Sequence, residues 1–283
     1  MNWLAFSLIT VTLWGVGQVL IKKGLSNISS FWSIVVSGTI NALVLIPFSL
    51  LSGAEFTITP LFFFVIFTIA FLNMLFFYAI EKGQLALSGT LFATYPVVTI
   101  LLSSIFLQEE LHVSQYFMIA LILGGGAILG YTGSSSSGKQ KVAKSWFFWA
   151  ILGSVGVGVA DFLAKVAINT TGVPTYNLFF PLAYIIGILV YFVLDRKGRM
   201  LPKNIQPRKF LWSISGVLLL TLGMVSFNYA LEHGDVSLVA TVSSSYAAVT
   251  VILASTFLRE KITRIQLIGI IAILTGVTFI SIK

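Results

Sequence analysis

The chain has 283 residues, 57% of them hydrophobic and 9% charged, with a mean hydropathy of +1.00 and no cysteine. A soluble domain carries about a quarter charged residues, so this composition excludes a water-soluble fold and identifies an integral membrane protein, while the missing thiols exclude disulfides and thiolate metal sites. The net charge of +8 is explained below by the side of the membrane on which the basic residues fall, which argues against nucleic acid as a partner.

A bilayer core of about 30 Å takes about 20 helical residues at about 1.5 Å each. Ten segments meet that length in chain order: Trp3–Ile21, Phe31–Leu51, Leu61–Ile80, Leu85–Leu107, Val113–Tyr131, Trp146–Ile168, Tyr176–Leu194, Phe210–Leu231, Val236–Leu258 and Arg264–Ile282. The first run ends at Lys22-Lys23 and has neither a basic start nor a small-residue cleavage site, so it is expected to stay as a span. The longest polar break, Gly133 to Ser145, is rich in Gly and Ser and therefore flexible. It divides the chain into a five-helix module over residues 1–132, a linker over 133–145 and a second five-helix module over 146–283.

The modules are copies. Tyr78 to Tyr131 aligns without a gap to Tyr229 to Ile282, 151 residues later, with 19 of 54 pairs identical, among them Tyr95/Tyr246, Thr99/Thr250, Glu109/Glu260, Gln115/Gln266 and Gly125/Gly276. The opening spans align with an offset of 143, pairing Trp3 with Trp146, Gly15 with Gly158 and Lys22 with Lys165, while Gln18 stands opposite Asp161. With five spans in each half, equivalent helices cross the bilayer in opposite directions. Loops after the odd-numbered spans hold 15 of the 17 basic residues, and only Lys165 and Lys283 fall on the other side. The positive-inside rule then places the linker in the cytoplasm and both termini outside. Internal repeats in a polytopic chain are the sequence trace of secondary transporters, whose halves rock about a site at their interface.

Trp14-Gly15 in span 1, Tyr95-Pro96 in span 4, Phe106-Leu107-Gln108-Glu109 at its close and Gly124-Gly125 in span 5, with Phe257-Leu258-Arg259-Glu260 and Gly276 in the second half, resemble the EamA-type branch of the drug/metabolite transporter superfamily. The resemblance covers essentially the whole chain. It implies a ten-helix inverted-repeat fold around a central cavity, substrates ranging over amino acids, other metabolites and drugs, and export as the common direction. It also implies that the late, glycine-bearing helix of each half packs at a dimer or inter-half contact, so a homodimer is one expected assembly. The second copy departs from the pattern, with Ala247 at the place of Pro96 and Val157-Gly158 at the place of Trp14-Gly15.

Intramembrane polar groups are costly unless they face a cavity or a partner, which makes them the candidate substrate contacts. Tyr95 and Thr99 lie on one face of span 4, and Tyr246 and Thr250 repeat them in span 9. These four either line a central cavity or hydrogen-bond neighbouring helices. Trp14, Gln18, Asn41, Asn73, Tyr184 and Asn228 are further candidates within spans. Asp161 is the acid well inside an apolar span, with Lys165 one turn later. Either Asp161 couples transport to a cation, H+ being the candidate, or it is a static i, i+4 partner of Lys165. Glu109 and Glu260 are expected as structural contacts at the membrane interface.

His112 and His233 lack metal-ligand spacing, and no nucleophile elbow or phosphate-cradling loop occurs, so no enzyme, no metal and no cofactor is expected. The expected function is a secondary-active exporter of small organic solutes, amino acids or related metabolites, in the plasma membrane, with the solute and lipid as partners. A sugar or nucleotide-sugar carrier is the alternative within transport, disfavoured by the shortage of intramembrane Lys and Arg. A receptor or assembly factor is the alternative outside it, disfavoured by loops too short for a sensing domain.

Overall fold

The computed structural model describes residues 2–24, 29–56, 59–82, 95–134, 145–194, 207–257 and 262–280. Among these residues there is no strand, and the helices are α1 (Trp3–Gly24), α2 (Ser30–Leu51), α3 (Pro60–Lys82), α4 (Tyr95–Phe106), α5 (Val113–Ser134), α6 (Ser145–Leu194), α7 (Pro207–His233), α8 (Val236–Ser244), α9 (Tyr246–Phe257) and α10 (Arg264–Phe279). Five apolar stretches are long enough to cross a membrane: Trp3–Ile21, Phe31–Leu51, Ile151–Val193, Phe210–His233 and Val236–Phe257. The outer surface is apolar too, with Leu43, Phe63, Phe64, Phe67, Phe71, Ile105 and Phe117 all exposed. Such a surface is matched to hydrocarbon, where each helix satisfies its own backbone.

Helix starts are set by local sequence. Ser29 caps α2 by accepting the Trp32 N–H at 3.4 Å, and Thr59 accepts the Phe62 N–H at 3.1 Å ahead of Pro60. The repeated glutamine is a helix-start device. Gln115 Oε1 accepts the His112 N–H at 2.9 Å before α5, and Gln266 Oε1 accepts the Thr263 N–H at 2.9 Å before α10, where Thr263 returns the bond in a full capping box.

The segments Trp146–Ile168 and Tyr176–Leu194 are the two arms of α6, two helices that meet at a kink at Gly172 (φ 77°, ψ 161°), a conformation that L side chains rarely adopt. The Thr170 and Thr171 hydroxyls donate to the Ala167 carbonyl at 2.8 and 2.9 Å and satisfy the end of the first arm. The single span expected over Val236–Leu258 is interrupted between α8 and α9 at Ser245. There, Ser244 and Ser245 turn their hydroxyls back onto the carbonyls of Thr241 and Val242 at 2.7 and 2.6 Å, competing with the helix ladder. The first half of the expected span Leu85–Leu107 lies outside the described residues, and α4 begins at Tyr95, the counterpart of Tyr246 at the start of α9.

Packing between the aligned copies is reciprocal. α1 lies along α7 while α3 lies along α6, and α1 crosses α9 while α4 crosses α6. The aligned helices α5 and α10 pack on each other. A Cβ on Gly125 would meet the Gly269 carbonyl at 2.6 Å and Ile273, and one on Gly276 would meet the Met118 carbonyl at 2.8 Å and Ile122. Met118 aligns with Gly269 and Ile122 with Ile273, so the two contacts are one contact repeated. The glycine-bearing late helices thus meet within one chain, as an inter-half contact. A core of α2, α3, α6, α7 and α8 residues, including Leu45, Val65, Ile69, Ile168, Leu231 and Val239, closes the bundle beside the polar residues of the interior.

Candidate functional site

The first arm of α6 carries Asp161 into the bundle half-buried, with its Oδ2 sealed off and, among the described residues, without a hydrogen-bond partner. Two phenols lie within electrostatic reach of this carboxyl group, those of Tyr95 from α4 and Tyr176 from the second arm of α6. Fifteen residues of straight helix would hold Asp161 and Tyr176 about 22 Å apart. The reversal at Gly172 removes that distance, and the cluster exists because α6 folds back. The phenols of Tyr246 and Tyr95 interact, as do those of Tyr184 and Tyr176, and the Asn41 side chain hydrogen-bonds the Tyr184 hydroxyl.

The i, i+4 pairing that the spacing of Asp161 and Lys165 permits is not formed. The Lys165 ammonium donates to the carbonyls of Leu231 and Gly234, the latter at 3.0 Å, at the C-terminus of α7. Those carbonyls lack helical partners and carry the negative end of the helix dipole, so they outcompete a carboxylate one turn away. Lys165 is spent on structure, and among the described residues Asp161 Oδ2 has no hydrogen-bond partner.

The repeated Tyr–Thr pairs sit where α4 and α9 cross the opening helix of the other copy. Tyr95, 4% exposed, donates its hydroxyl to the Ala240 carbonyl at 3.1 Å. Thr99 donates to the Gly158 carbonyl at 3.1 Å, and Thr250 to Gly15 at 3.4 Å and to Tyr246 at 2.9 Å. Each threonine therefore bonds the glycine equivalent to the one its counterpart bonds. A hydroxyl committed to a carbonyl still leaves lone pairs and, for the tyrosines, ring faces to offer a solute.

Trp14 meets Tyr246 edge-on with ring centroids 5.8 Å apart, packs on Phe227 at 5.3 Å, and donates its indole N–H to the Leu220 carbonyl at 3.1 Å. Gln18 is half-buried one turn further along α1. Asn41 donates to the Ser37 carbonyl at 2.8 Å and keeps a buried Oδ1 without a partner. Asn228 donates to Asn177 Oδ1 at 2.6 Å, joining α7 to the second arm of α6. The Asn73 side chain lies outside the described residues. The structure therefore brings Asp161, Tyr95, Tyr176, Tyr246, Tyr184 and Asn41 into one connected polar region. It places Lys165 at the helix end and Asn228 in a structural amide pair.

Tyr176 is the member that sequence reasoning missed. It opens a predicted span, where tyrosine reads as an interfacial residue, and only the bend at Gly172 brings it back toward the acid. Glu109 is the structural contact expected of it. Its carboxylate accepts the backbone N–H groups of Val236 and Ser237 at 2.8 and 3.1 Å and the Ser237 hydroxyl at 2.6 Å. Beside that contact a cleft of about 350 Å³ opens between Asn2, Trp3, Gln115 and the His233–Asp235 turn.

An uncharacterized protein of Methanocaldococcus jannaschii is 32% identical over 134 residues, which cover 47% of this chain and 93% of that protein. The uncharacterized transporter YvbV of Bacillus subtilis is 30% identical over 117 residues, 39% of this chain and 38% of its own length. A solved crystal structure described only as that of a protein superposes with a TM-score of 0.81 at 14% identity, covering 99% of this chain and 96% of the other, a likeness of fold. The EamA-like transporter family matches twice in succession, over residues 1–131 and 144–282. This multi-pass membrane protein belongs to the EamA-like transporter family of the drug/metabolite transporter superfamily.

Proposed function

We propose that this protein is a secondary-active transporter that exports small organic solutes, amino acids or related metabolites, across the plasma membrane by alternating access. Two five-helix modules, inverted relative to each other with the linker in the cytoplasm and both termini outside, rock about a polar site shared between them. The reading is carried by the reciprocal crossings Thr99–Gly158 and Thr250–Gly15, which frame the unpartnered Asp161 at the junction of the two copies. Small residues at such crossings let packed helices shift against each other. It is supported by the Methanocaldococcus jannaschii relative, 93% of which aligns over 134 residues, close to the length of either of the two family matches, 1–131 and 144–282.

No nucleotide-binding loop occurs in the sequence, so an ion or solute gradient supplies the driving force. Asp161 is the group proposed to couple to H+. The test is flux of radiolabelled amino acids, amines and sugars into proteoliposomes, with and without a pH gradient, for wild type and Asp161→Asn. Saturable flux that Asp161→Asn uncouples from the gradient is the expected result. An unchanged gradient dependence removes the coupling role, and absence of flux for every solute removes the transport reading. Labelling of single cysteines at positions 139 and 199 on opposite membrane faces would overturn the orientation.

A further inference from the structure

The cleft of about 350 Å³ at the α7–α8 turn is near the lower end of the range that solute sites occupy, room for one small molecule. Its lining is chemically divided. The turn contributes two acceptors. His233 Nδ1 lies 2.9 Å from the Tyr229 carbonyl, which can only accept, so in the neutral ring Nδ1 carries the proton and Nε2 keeps its lone pair. Asp235 is exposed at the N-cap of α8, yet its side chain makes no capping bond, and Glu109 holds that helix start instead. Lys165 interacts electrostatically with Glu109, Asp235 and Glu232, one cation among three carboxylates, so the balance at the turn stays negative. Gln115, 5% exposed, contributes a donor to the same cleft: its Oε1 is committed to the His112 N–H at 2.9 Å, which leaves the Nε2 hydrogens for the cleft. Gln115 belongs to the first turn of α5, where the helix dipole favours negative charge. Trp3 and Leu238 complete the lining with apolar surface.

The internal repeat separates scaffold from recognition here. Trp3, Gln115 and Gly234 recur as Trp146, Gln266 and Gly83, whereas His233 and Asp235 stand opposite Lys82 and Gln84. The two acceptors occur in one copy only, so the duplicated architecture does not require them. We propose that this cleft binds the zwitterion of an α-amino acid, its ammonium donating to Asp235 and His233 Nε2 and its carboxylate accepting from the Gln115 amide. Ammonium and carboxylate on one carbon match two acceptors and a donor set around one small cleft, and an apolar side chain finds Trp3 and Leu238. The site deepens the transport reading and rests on it for its role: in the proposed orientation it is the external mouth of the bundle, where an exported solute leaves.

The test measures binding of leucine to purified full-length protein in detergent micelles by titration calorimetry, beside leucinamide, which lacks the carboxylate, and 4-methylpentanoate, which lacks the ammonium. Leucine binds saturably and each analogue binds about ten- to a hundredfold more weakly, the effect of leaving a polar partner unmet. Asp235→Asn weakens leucine and leucinamide by a similar factor. Gln115→Glu keeps an oxygen for the His112 N–H, so the helix start stays capped, and replaces the donor with a second acceptor. It weakens leucine and spares leucinamide, a selectivity that a merely structural role would not produce. Leucine affinity unchanged by both substitutions overturns the site, as does equal loss of leucine and leucinamide in Gln115→Glu or an absence of saturable leucine binding. Should the variants fail to fold, the wild-type ranking decides, because analogues that bind as tightly as leucine overturn the site. Flux in liposomes separates the two readings. Leucine flux with an unchanged half-saturation in Asp235→Asn sinks the cleft and leaves the transporter standing, whereas Asp235-dependent binding without flux of any solute sinks the transport reading and leaves the cleft.

Discussion

Glu109 accepts two hydrogen bonds from Ser237, one from its N–H at 3.1 Å and one from its hydroxyl at 2.6 Å, and its other oxygen takes the Val236 N–H at 2.8 Å. A carboxylate from the turn between α4 and α5 thereby caps α8, whose own N-cap residue Asp235 makes no side-chain capping bond. The negative charge lies against the positive end of the helix dipole, where such groups are most stabilising. Glu109→Gln retains an acceptor for one N–H and loses the charge, while Glu109→Ala loses all three bonds. Thermal unfolding in detergent should rank wild type above Gln above Ala, with about 1–3 kcal/mol lost in the alanine variant. An alanine variant as stable as wild type would show that water replaces the cap at no cost.

Lys165 closes the other side of the same turn by holding the last carbonyls of α7 at Leu231 and Gly234. Because the natural chain has no cysteine, one cysteine placed at Asp235, which is exposed, reports on this turn alone. Combining it with Lys165→Met should raise the rate of maleimide labelling several-fold, since the freed carbonyls draw water and the turn loosens. Equal rates in the two backgrounds would mean that the clamp does not hold the turn.

At the crossing of α4 with α6, a Cβ on Gly158 would lie 2.6 Å from the Tyr95 carbonyl and 2.7 Å from Val98 Cβ. At the equivalent crossing of α1 with α9, a Cβ on Gly15 would lie 2.5 Å from Val249 Cγ1, 2.6 Å from its Cβ and 3.4 Å from the Tyr246 carbonyl. Both crossings press on a valine Cβ, and Gly158 presses on facing backbone as well, which yields less readily than a side chain. Gly158→Ala should therefore destabilise more than Gly15→Ala, each within the roughly 1–3 kcal/mol of overpacked sites, as read from melting in detergent. The reverse order would show that Val249 is the more rigid obstacle.

Asn228 and Asn177 form a buried amide pair at 2.6 Å, and Asn177 Nδ2 has no partner of its own. Asn228→Ala should cost about 1–3 kcal/mol because it leaves Asn177 Oδ1 unmet as well, and adding Asn177→Ala should cost less than a second equal increment. A double-mutant cycle in thermal stability measures this. Strict additivity would mean that the two amides do not support each other.

Much of the helical scaffold was legible in the sequence because length and apolarity alone dictate membrane helices. The repeated residues were legible as repeats, and the structure supplies their reasons: Gln115 and Gln266 start helices, Gly125 and Gly276 admit a facing backbone, and Thr99 and Thr250 bond carbonyls across the crossings. The break at Ser245 was not legible, since serine hydroxyls bend a helix only when they turn back onto its own carbonyls. Nor was the fate of Lys165, because i, i+4 spacing describes one helix and says nothing of carbonyl groups presented by another.

By itself the sequence determined that this is a membrane-embedded helical protein with a duplicated pattern and a lone acid in an apolar span. Those properties follow from hydropathy, from identity at a constant offset and from the cost of burying charge, all of which are local or additive along the chain. Only the tertiary structure decided what surrounds that acid. The reversal at Gly172 returns Tyr176 to Asp161, and the end of α7 draws Lys165 away from it. Both outcomes depend on which backbone groups are left unsatisfied at the ends of neighbouring helices, and that is settled by three-dimensional packing.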